Sequence, residues 1–550
     1  MTRTVIQYLL GRLKQLGIRE IFGVPGDYAF PINDAICNDK ELRWVGCCNE
    51  LNASYAADGY ARIKGRSALC TTFGVGELSA LCGLAGSYAE HNLVFHIVGM
   101  PNMATQDEHA IVHHTLGDGK FDIFMDMATP VVCAKTMLTP ENCIQETERV
   151  IAAALEYHRP VYIAIPGDYV NALTAPTRMP AIDPVKSDPK ALEEAVSAIV
   201  DKISKARMAC LLPGIFVDRY GFKDLTTKVV NASGLPYVTM PMDKSVLDET
   251  NPSYLGLYTG HLIYPEISEF VESCDCILAI GTVPSDLNTG GFTARLDRSR
   301  TIKIMLHEVY IGYAHYDNVK MADVLEQLSR KLPRRTDIKG PRVKQPPTPK
   351  VSAGDQITAD YLYASFAKFF KPGDIIMSET GTATFGLLPV FLPKGATFNN
   401  QTLWGSIGWA TPASFGAALS TPDRRVILVT GEGSHQMTAQ EVSQFYRYGL
   451  KPLIFIINNN GYLIERMLSK RSDYYYNDLV KWHYTRLPEG LGCDGWLMRK
   501  AATCGELDAI MKELENAGNG AYVEIVTPEM SAPPLMKAIH DNLQSLYNEK

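Results

Sequence analysis

Glu432, Asn459 and Gly461 offer a carboxylate, an amide oxygen and a flexible backbone carbonyl, the oxygen ligands that a hard cation takes. Mg²⁺ suits such a set because it keeps water and draws its remaining ligands from a bound phosphate. Five further side chains can carry protons. Asp27 follows the strand-like Glu20-Ile21-Phe22-Gly23-Val24 and the turn Pro25-Gly26, and Glu50 ends the strand-like run that begins at Arg43. His113 and His114 are adjacent in a loop that continues Thr115-Leu116-Gly117-Asp118-Gly119, and Glu465 lies four residues after Gly461. Imidazole, with a reference pKa of ~6.5, gives and takes protons near neutrality, so this collection suits acid–base work at a metal-anchored phosphate. Each residue also has an ordinary structural explanation. A strand-end acid caps a helix, and Gly-Asn clusters make turns.

The elements that would position these groups are legible from hydrophobic pattern. Val426-Ile427-Leu428-Val429-Thr430 breaks into Gly431-Glu432-Gly433-Ser434, and Leu453-Ile454-Phe455-Ile456-Ile457 breaks into Asn458-Asn459-Asn460-Gly461-Tyr462. Continuous apolar β-branched runs read as parallel strands buried on both faces, and ligands of open parallel sheets sit at the carboxyl rim. Val5, Ile6, Leu9, Leu10, Leu13 and Leu16 recur at helical spacing and stop at Gly17. Leu535, Ile539, Leu543 and Leu546 predict a helix in the tail.

A length of 550 residues implies about three domains, and 46% hydrophobic with 21% charged residues is the balance of a soluble globular protein. The formal charge of −7 gives no basic face for nucleic acid. No apolar run is long enough for a bilayer, and residues 1–16 lack the unbroken apolar centre of a signal peptide. The 12 cysteines form no CxxC pair, and Cys70, Cys82 and Cys210 stand in apolar segments as expected core residues, so a cytoplasmic location is expected. Thr71-Thr72-Phe73-Gly74-Val75-Gly76 and Gly117-Asp118-Gly119 begin a dinucleotide fingerprint and fail at its third glycine.

The first domain is expected to span 1–180. Pro176, Pro180 and Pro184 punctuate a connector to a central α/β series over 188–335, with strands at 208–212, 237–240, 276–280 and 301–305. The stretch 336–355, rich in Pro, Lys and Arg, reads as a solvated linker, and the last domain covers 356–550.

The GxGS turn followed by the Asn pair, with Asn459 twenty-seven positions after Glu432, resembles the thiamine diphosphate motif. One letter departs, since Glu432 stands where the family has Asp. The strand-end Glu50 with the Ala- and Gly-rich helix after it resembles the family segment that binds N1′ of the aminopyrimidine. The His113-His114 doublet before Gly117-Asp118-Gly119, together with Gly461-Tyr462-Leu463-Ile464-Glu465, resembles the thiamine diphosphate-dependent 2-oxo acid decarboxylases of the pyruvate, indolepyruvate and branched-chain group.

That resemblance implies α/β architecture, with three doubly wound parallel-sheet domains of the thiamine diphosphate-binding superfamily. It implies thiamine diphosphate and Mg²⁺ as cofactors and non-oxidative conversion of a small 2-oxo acid to an aldehyde and CO₂ through an enamine on the cofactor. Asp27, Glu50, His113, His114 and Glu465 would be catalytic. Glu432, Asn459 and Gly461 would hold the metal. Thr72, Thr380, Thr382, Gly405, Ile407, Gly433, Ser434, Asn459, Gly461, Tyr462 and Ile464 would bind the cofactor, with Ile407 as a wedge beneath it. Leu287, Thr384, Phe385, Ile464, Ile539 and Leu543 would line the substrate pocket. Thr384 falls where pyruvate-preferring relatives carry Trp, so larger aliphatic or aromatic substrates are expected. A homodimer or homotetramer with sites at the subunit interface is implied. The alternatives are a pyruvate decarboxylase proper, a carboligase of the acetolactate synthase kind, and a scaffold with a degenerate metal site.

Overall fold

The computed structural model describes residues 2–181 and 186–548, with side chains described as far as residue 542. Pro184 and the side chains of Leu543 and Leu546 therefore lie outside the described residues. Three parallel-sheet α/β units follow one another. The first sheet contains β1 (Glu20–Gly23), β2 (Arg43–Gly46), β3 (Ser67–Thr72), β4 (Val94–Met100), β5 (Ala134–Met137) and β6 (Val161–Pro166), all parallel in the order β2-β1-β3-β4-β6-β5. The second contains β7 (Ala209–Pro213), β8 (Tyr237–Thr239), β9 (Tyr254–Leu257), β10 (Cys276–Ile280), β11 (Thr301–Ile304), β12 (Glu308–Ile311) and β13 (Ala314–Asp317). Its order is β13-β12-β11-β10-β7-β8-β9, with β12 and β13 forming an antiparallel edge hairpin. The third contains β14 (Ile375–Ser378), β15 (Thr397–Asn399), β16 (Val426–Gly431), β17 (Leu453–Asn458), β18 (Leu497–Ala501) and β19 (Ala521–Val526), all parallel in the order β15-β14-β16-β17-β19-β18. The first and third sheets thus share one topology. Their central strands β3, β4 and β6 are buried along their whole length, and β16 and β17 along all but the last residue. That burial is why they read as unbroken apolar runs rather than alternating ones.

Local chemistry sets the helices. Helix α1 (Val5–Gln15) opens with a capping box, Thr4 Oγ1 accepting from Gln7 N and Gln7 Oε1 from Thr4 N, and Gly17 turns the chain away at φ +84°. Helix α2 (Glu50–Lys64) is capped by Asn49, whose side chain accepts from Asn52 N at 2.7 Å, and ends at left-handed Gly65. Helix α3 (Val75–Ala89) follows β3, helix α4 (Thr382–Leu387) follows β14, and helix α5 (Ala410–Ser420) precedes β16. Helix α6 (Glu432–Thr438) follows β16, helix α7 (Leu463–Leu468) follows β17, and α8 (Pro534–Asn548) ends the described chain. Four central strands match the expected positions. β9 and the β12–β13 hairpin, short or exposed, lack the apolar run that marked the others.

The first and third units join through α2 and α5. Gly59 lies against Ala413 and Gly416 against Ala56, so the helices run antiparallel with their backbones nearly touching, and a Cβ at either glycine would enter the facing carbonyl oxygen. Beside this seam sits a fully buried network. Arg62 donates to Asp58 Oδ2 and to Glu90 Oε2, both at 2.8 Å, and to Asn400 O at 2.7 Å, while the Trp409 indole donates to Asp58 Oδ2 at 2.8 Å. Each charge there has a partner, as burial requires.

Two expectations are corrected. The segment after Arg334 is not a free solvated tether, because Arg335 donates to the carbonyls of Ile203 and Ala206, and Val343 is buried with its amide on Leu255 O. Cys82 is exposed rather than in the core, facing the Tyr55 hydroxyl at 3.7 Å. No helix among the described residues is long and apolar enough to cross a membrane. Gly59→Val or Gly416→Val is expected to destabilise the chain by about 1–3 kcal/mol through overpacking of the seam. The thermal unfolding midpoint reads this against Gly518→Val, where the added side chain meets open space.

Candidate active site

The expected site residues of the first and third units lie at, or in the loops beyond, the carboxyl ends of their parallel strands. In the third unit, Thr380, Thr382, Glu432, Gly433, Ser434, Asn459, Gly461, Tyr462 and Ile464 line one cleft above β14, β16 and β17. Glu432, at 2% exposure, starts α6, and its Oε1 accepts from the backbone amides of Asn459 at 3.1 Å and Gly461 at 2.9 Å. Those two bonds tie the turns after β16 and β17 together. Gly461 adopts φ +153°, and a Cβ there would collide with the Arg466 guanidinium and Asn477 O, so only glycine lets the loop close.

The donor set fits a hard cation. Asn459 Oδ1 is buried with no hydrogen-bond partner among the described residues. Burial pushes the Glu432 carboxyl up to about 7, which is the response of an acid deprived of water and of a positive partner. An unsatisfied buried amide oxygen beside such a carboxyl is costly unless an ion occupies the space between them. The first turn of α6 also leaves backbone N–H groups free for phosphate oxygens.

Beneath this cleft lies a residue that the motif reading overlooked. Glu379, at 1% exposure, directly follows β14 and accepts from Thr380 N at 3.2 Å, Ala410 N at 3.3 Å and Thr430 Oγ1 at 3.3 Å. Burial raises its carboxyl to about 8. It clamps the turns carrying Thr380, Ile407 and Glu432 to one another. Its sequence signal, an acid closing an apolar strand, is the same one that marked Glu50 and Glu432. The loop from Asn400 to Trp409 is also held by Thr380 Oγ1 donating to Gln401 O at 2.9 Å and by the Ser406 and Tyr55 hydroxyls at 2.6 Å. Gly405 sits there at φ +67° with Ile407 half-buried beyond it.

Leu287, Ile464 and Ile539 pack against one apolar cluster that includes Phe385, bringing the middle unit, α7, α8 and α4 together. Thr384 is buried on α4 and its hydroxyl donates to Glu379 O at 2.8 Å, with Ser378 Oγ at 2.9 Å. The small side chain therefore turns its polar atom away from the apolar space. His540 of α8 bonds Met467 O of α7, which docks the tail helix over this region.

The first unit gathers the other set. Asp27 opens a 3₁₀ turn without capping anything; its Oδ2 instead meets His113 Nε2 at 2.7 Å, and Oδ1 lies 3.9 Å from His114 Nε2. The Tyr28 ring stacks on His113 at 4.8 Å, with its hydroxyl 3.3 Å from His113 Nδ1 and 3.2 Å from His113 O. Tyr28 was not anticipated, and its adjacency to Asp27 was the available signal. Glu50 begins α2, but Asn49 performs the capping, which leaves the Glu50 carboxyl half-buried and raised by that burial. Gly76 makes room for it, since a Cβ there would lie 3.3 Å from Glu50 Oε1 and 3.1 Å from Thr72 Cγ2. Thr72 Oγ1 is buried without a hydrogen-bond partner among the described residues. Asp27, Thr72, Glu50 and the His pair thus share the rim of the first sheet.

The two rims do not meet within one chain. Every residue lining the Glu432 cleft among the described residues comes from the third unit. Glu50 heads α2, nine residues from the Gly59 contact, whereas Ala410 heads α5, three residues from the Ala413 contact. At 1.5 Å per residue in antiparallel helices the two heads are about 18 Å apart along the axis. Glu465 is likewise exposed on α7.

A parallel-sheet pair built in this way is the architecture of thiamine pyrophosphate enzymes, and family models agree. Residues 3–120 match the N-terminal TPP binding domain, 196–331 the central domain and 379–525 the C-terminal TPP binding domain of these enzymes. The chain is 38% identical to an alpha-keto-acid decarboxylase of Mycobacterium leprae over 98% of this chain and 95% of that one. It is 37% identical to a pyruvate decarboxylase of Candida glabrata, and equally to pyruvate decarboxylase isozyme 3 of Saccharomyces cerevisiae, over 96% of both chains in each case. The chain belongs to the thiamine diphosphate-dependent 2-oxo acid decarboxylase family, whose members are carboxy-lyases.

The raised Glu432 carboxyl has a measurable consequence. In the metal-free folded chain it keeps its proton to about pH 7, while the same group unfolded releases it near 4.5. The folded state then binds the extra proton, so stability falls as pH rises from about 4.5 to about 7. Glu432→Gln is expected to remove up to about 3 kcal/mol of that decline, read as urea unfolding in EDTA at pH 5 and pH 8.

Proposed function

We propose that this chain decarboxylates 2-oxo acids to aldehydes and CO₂ with thiamine diphosphate and Mg²⁺, and that it prefers substrates larger than pyruvate. The observation that carries the reading is the unpartnered Asn459 Oδ1 beside the buried, proton-retaining Glu432. Bound thiamine diphosphate supplies the electron sink for CO₂ loss. Glu432, Asn459 and the Gly461 carbonyl would hold Mg²⁺, and Thr380, Thr382, Gly433, Ser434, Tyr462 and Ile464, which line the same cleft, would enclose the cofactor's diphosphate. Ile407 and the Gly405 carbonyl orient the ring system. Glu50 holds a proton at its carboxyl for the aminopyrimidine. Its burial and lack of a capping duty support that role. His113 and His114, oriented by Asp27, and Glu465 move protons at the reacting carbon and at the departing aldehyde.

The separation of the two rims supports a homodimer as the smallest active unit, with Glu50 and the His pair of one copy meeting the metal cleft of another. Exposed Leu116 beside the His pair and exposed Tyr475 and Val480 near the metal loop are apolar surface for such a contact. A dimer of such dimers is the larger assembly proposed. The three units are bounded at 1–180, 188–335 and 356–550, with 336–355 joining the last two. Twelve free cysteines fit a reducing cytoplasm.

The preference for larger substrates rests on Thr384, whose hydroxyl is turned to Ser378 and Glu379, and on the apolar Leu287, Ile464 and Ile539, which pack against the cluster that contains Phe385. Pyruvate stays the second reading, since yeast relatives of equal identity carry the name pyruvate decarboxylase.

Calorimetry should show thiamine diphosphate binding that requires Mg²⁺, and Glu50→Gln should lower kcat by about 10²–10⁴-fold with that binding intact. Normal turnover by Glu50→Gln, or no aldehyde from any 2-oxo acid, would end the proposal. In kcat/KM, 2-oxoisovalerate, 2-oxoisocaproate or phenylpyruvate should exceed pyruvate, and Thr384→Trp should reverse the order. Preference for pyruvate by the unaltered chain would reject the pocket argument alone.

A further inference from the structure

Asp27, His113 and His114 present their ligand atoms within 4.8 Å of one another, and no ion-pairing cation from elsewhere in the described chain reaches them. Resting on the decarboxylase reading of this cluster, we infer that it is also a chelating site for a borderline transition cation such as Zn²⁺, and that its occupancy switches the enzyme off.

The geometry is close to a tetrahedral face. Zn–N and Zn–O bonds of about 2.0–2.1 Å set ligand atoms about 3.3 Å apart. Asp27 Oδ2 lies 2.7 Å from His113 Nε2 and Asp27 Oδ1 3.9 Å from His114 Nε2, and one ligand atom from each residue lies within 4.8 Å of the others, so side-chain rotations bring the three to that spacing. The supporting contacts are those of a metal-binding imidazole. Tyr28 Oη lies by His113 Nδ1, and its ring stacks on the imidazole, which leaves Nε2 pointed at the carboxylate. His114 is held by backbone geometry, with φ +65° and its carbonyl packed against Gly74, where no side chain would fit. In the single chain the two imidazoles have side-chain exposures of 58% and 30%, and in the proposed dimer a cation reaches them by the route the substrate takes into the shared site.

This site differs in kind from the Glu432 cleft. Two imidazoles and one carboxylate favour Zn²⁺ over Mg²⁺, whereas the Glu432, Asn459 and Gly461 oxygens favour Mg²⁺. A cation coordinated to both Nε2 atoms removes the lone pairs that would carry protons. Inhibition follows from loss of proton transfer, with the cofactor still bound.

A second cluster of similar composition, Glu308, His315 and Asp317, lies on the β12–β13 hairpin. It is removed from the test by placing His315→Ala in every protein used. Holoenzyme saturated with thiamine diphosphate and Mg²⁺ is titrated with ZnCl₂, following heat and aldehyde production in parallel. The expected result is one Zn²⁺ bound per chain, with activity lost in proportion to occupancy, restored by EDTA at a level that leaves Mg²⁺ in excess. His114→Gln and His113→Gln should each weaken Zn²⁺ binding about tenfold or more. Their melting temperature and thiamine diphosphate affinity should stay unchanged, which separates loss of the site from loss of the fold. Zn²⁺ affinity unchanged in both variants, or inhibition relieved by added Mg²⁺, would overturn the inference by placing Zn²⁺ elsewhere or in the Glu432 cleft. If no 2-oxo acid yields aldehyde, the functional reading fails while the heat of Zn²⁺ binding still decides the site.

Discussion

Everything in this molecule depends on the near contact of two helix backbones, α2 and α5, at Gly59 and Gly416. A side chain at either position would push the first and third units apart, and the network of Arg62, Asp58, Glu90 and Trp409 beside the seam would then lose the burial and pairing that make it tolerable. The contact is antiparallel. It therefore joins the two units while placing the head of α2, with Glu50, at the opposite end of the seam from the head of α5.

Electrostatics at the strand ends follow from the same compactness. Glu379 and Glu432 are each taken out of water by packed strands, and each is held above the usual carboxylate range for that reason. Their surroundings then part. Both Glu379 oxygens accept hydrogen bonds from neighbouring turns, which makes it a clamp. Glu432 accepts from the backbone amides of Asn459 and Gly461 through Oε1, and the Asn459 amide oxygen has no hydrogen-bond partner among the described residues. Two acids of one type at equivalent strand ends thus take different roles because of what packs around them. Glu50 is a third variant, half-buried, with its capping function passed to the preceding Asn49.

Much of this was legible from residue order. Continuous apolar runs located β16, β17 and four strands of the central unit, because a strand covered on both faces tolerates little else. The polar letters following strand-like runs located Asp27, Glu50, Glu432 and Asn459, because the end of a parallel strand is where the backbone leaves the sheet for the ligand rim, while Thr72 came from the family resemblance. The exposed β13 and the four-residue β9, broken by Gly256, were missed, and so were the buried β4 and β19. Glu379 carried the same strand-end mark as the others and was overlooked. The stretch after Arg334 looked solvated by composition, yet Val343 and the Arg335 guanidinium dock it through backbone carbonyls that no pattern of side chains could announce.

The sequence by itself determined which residues stand at strand ends, since period and turn chemistry are local properties of the chain. It also determined the family, through motifs in both outer units. Only the tertiary structure decided that Asp27 faces His113 rather than capping a helix, that Tyr28 orients the imidazole, and that Thr384 turns its hydroxyl inward. It alone separated the two rims by the length of a helix pair. These are relations between residues distant in the chain, and they are fixed by which faces pack together, a choice that only the whole set of contacts makes.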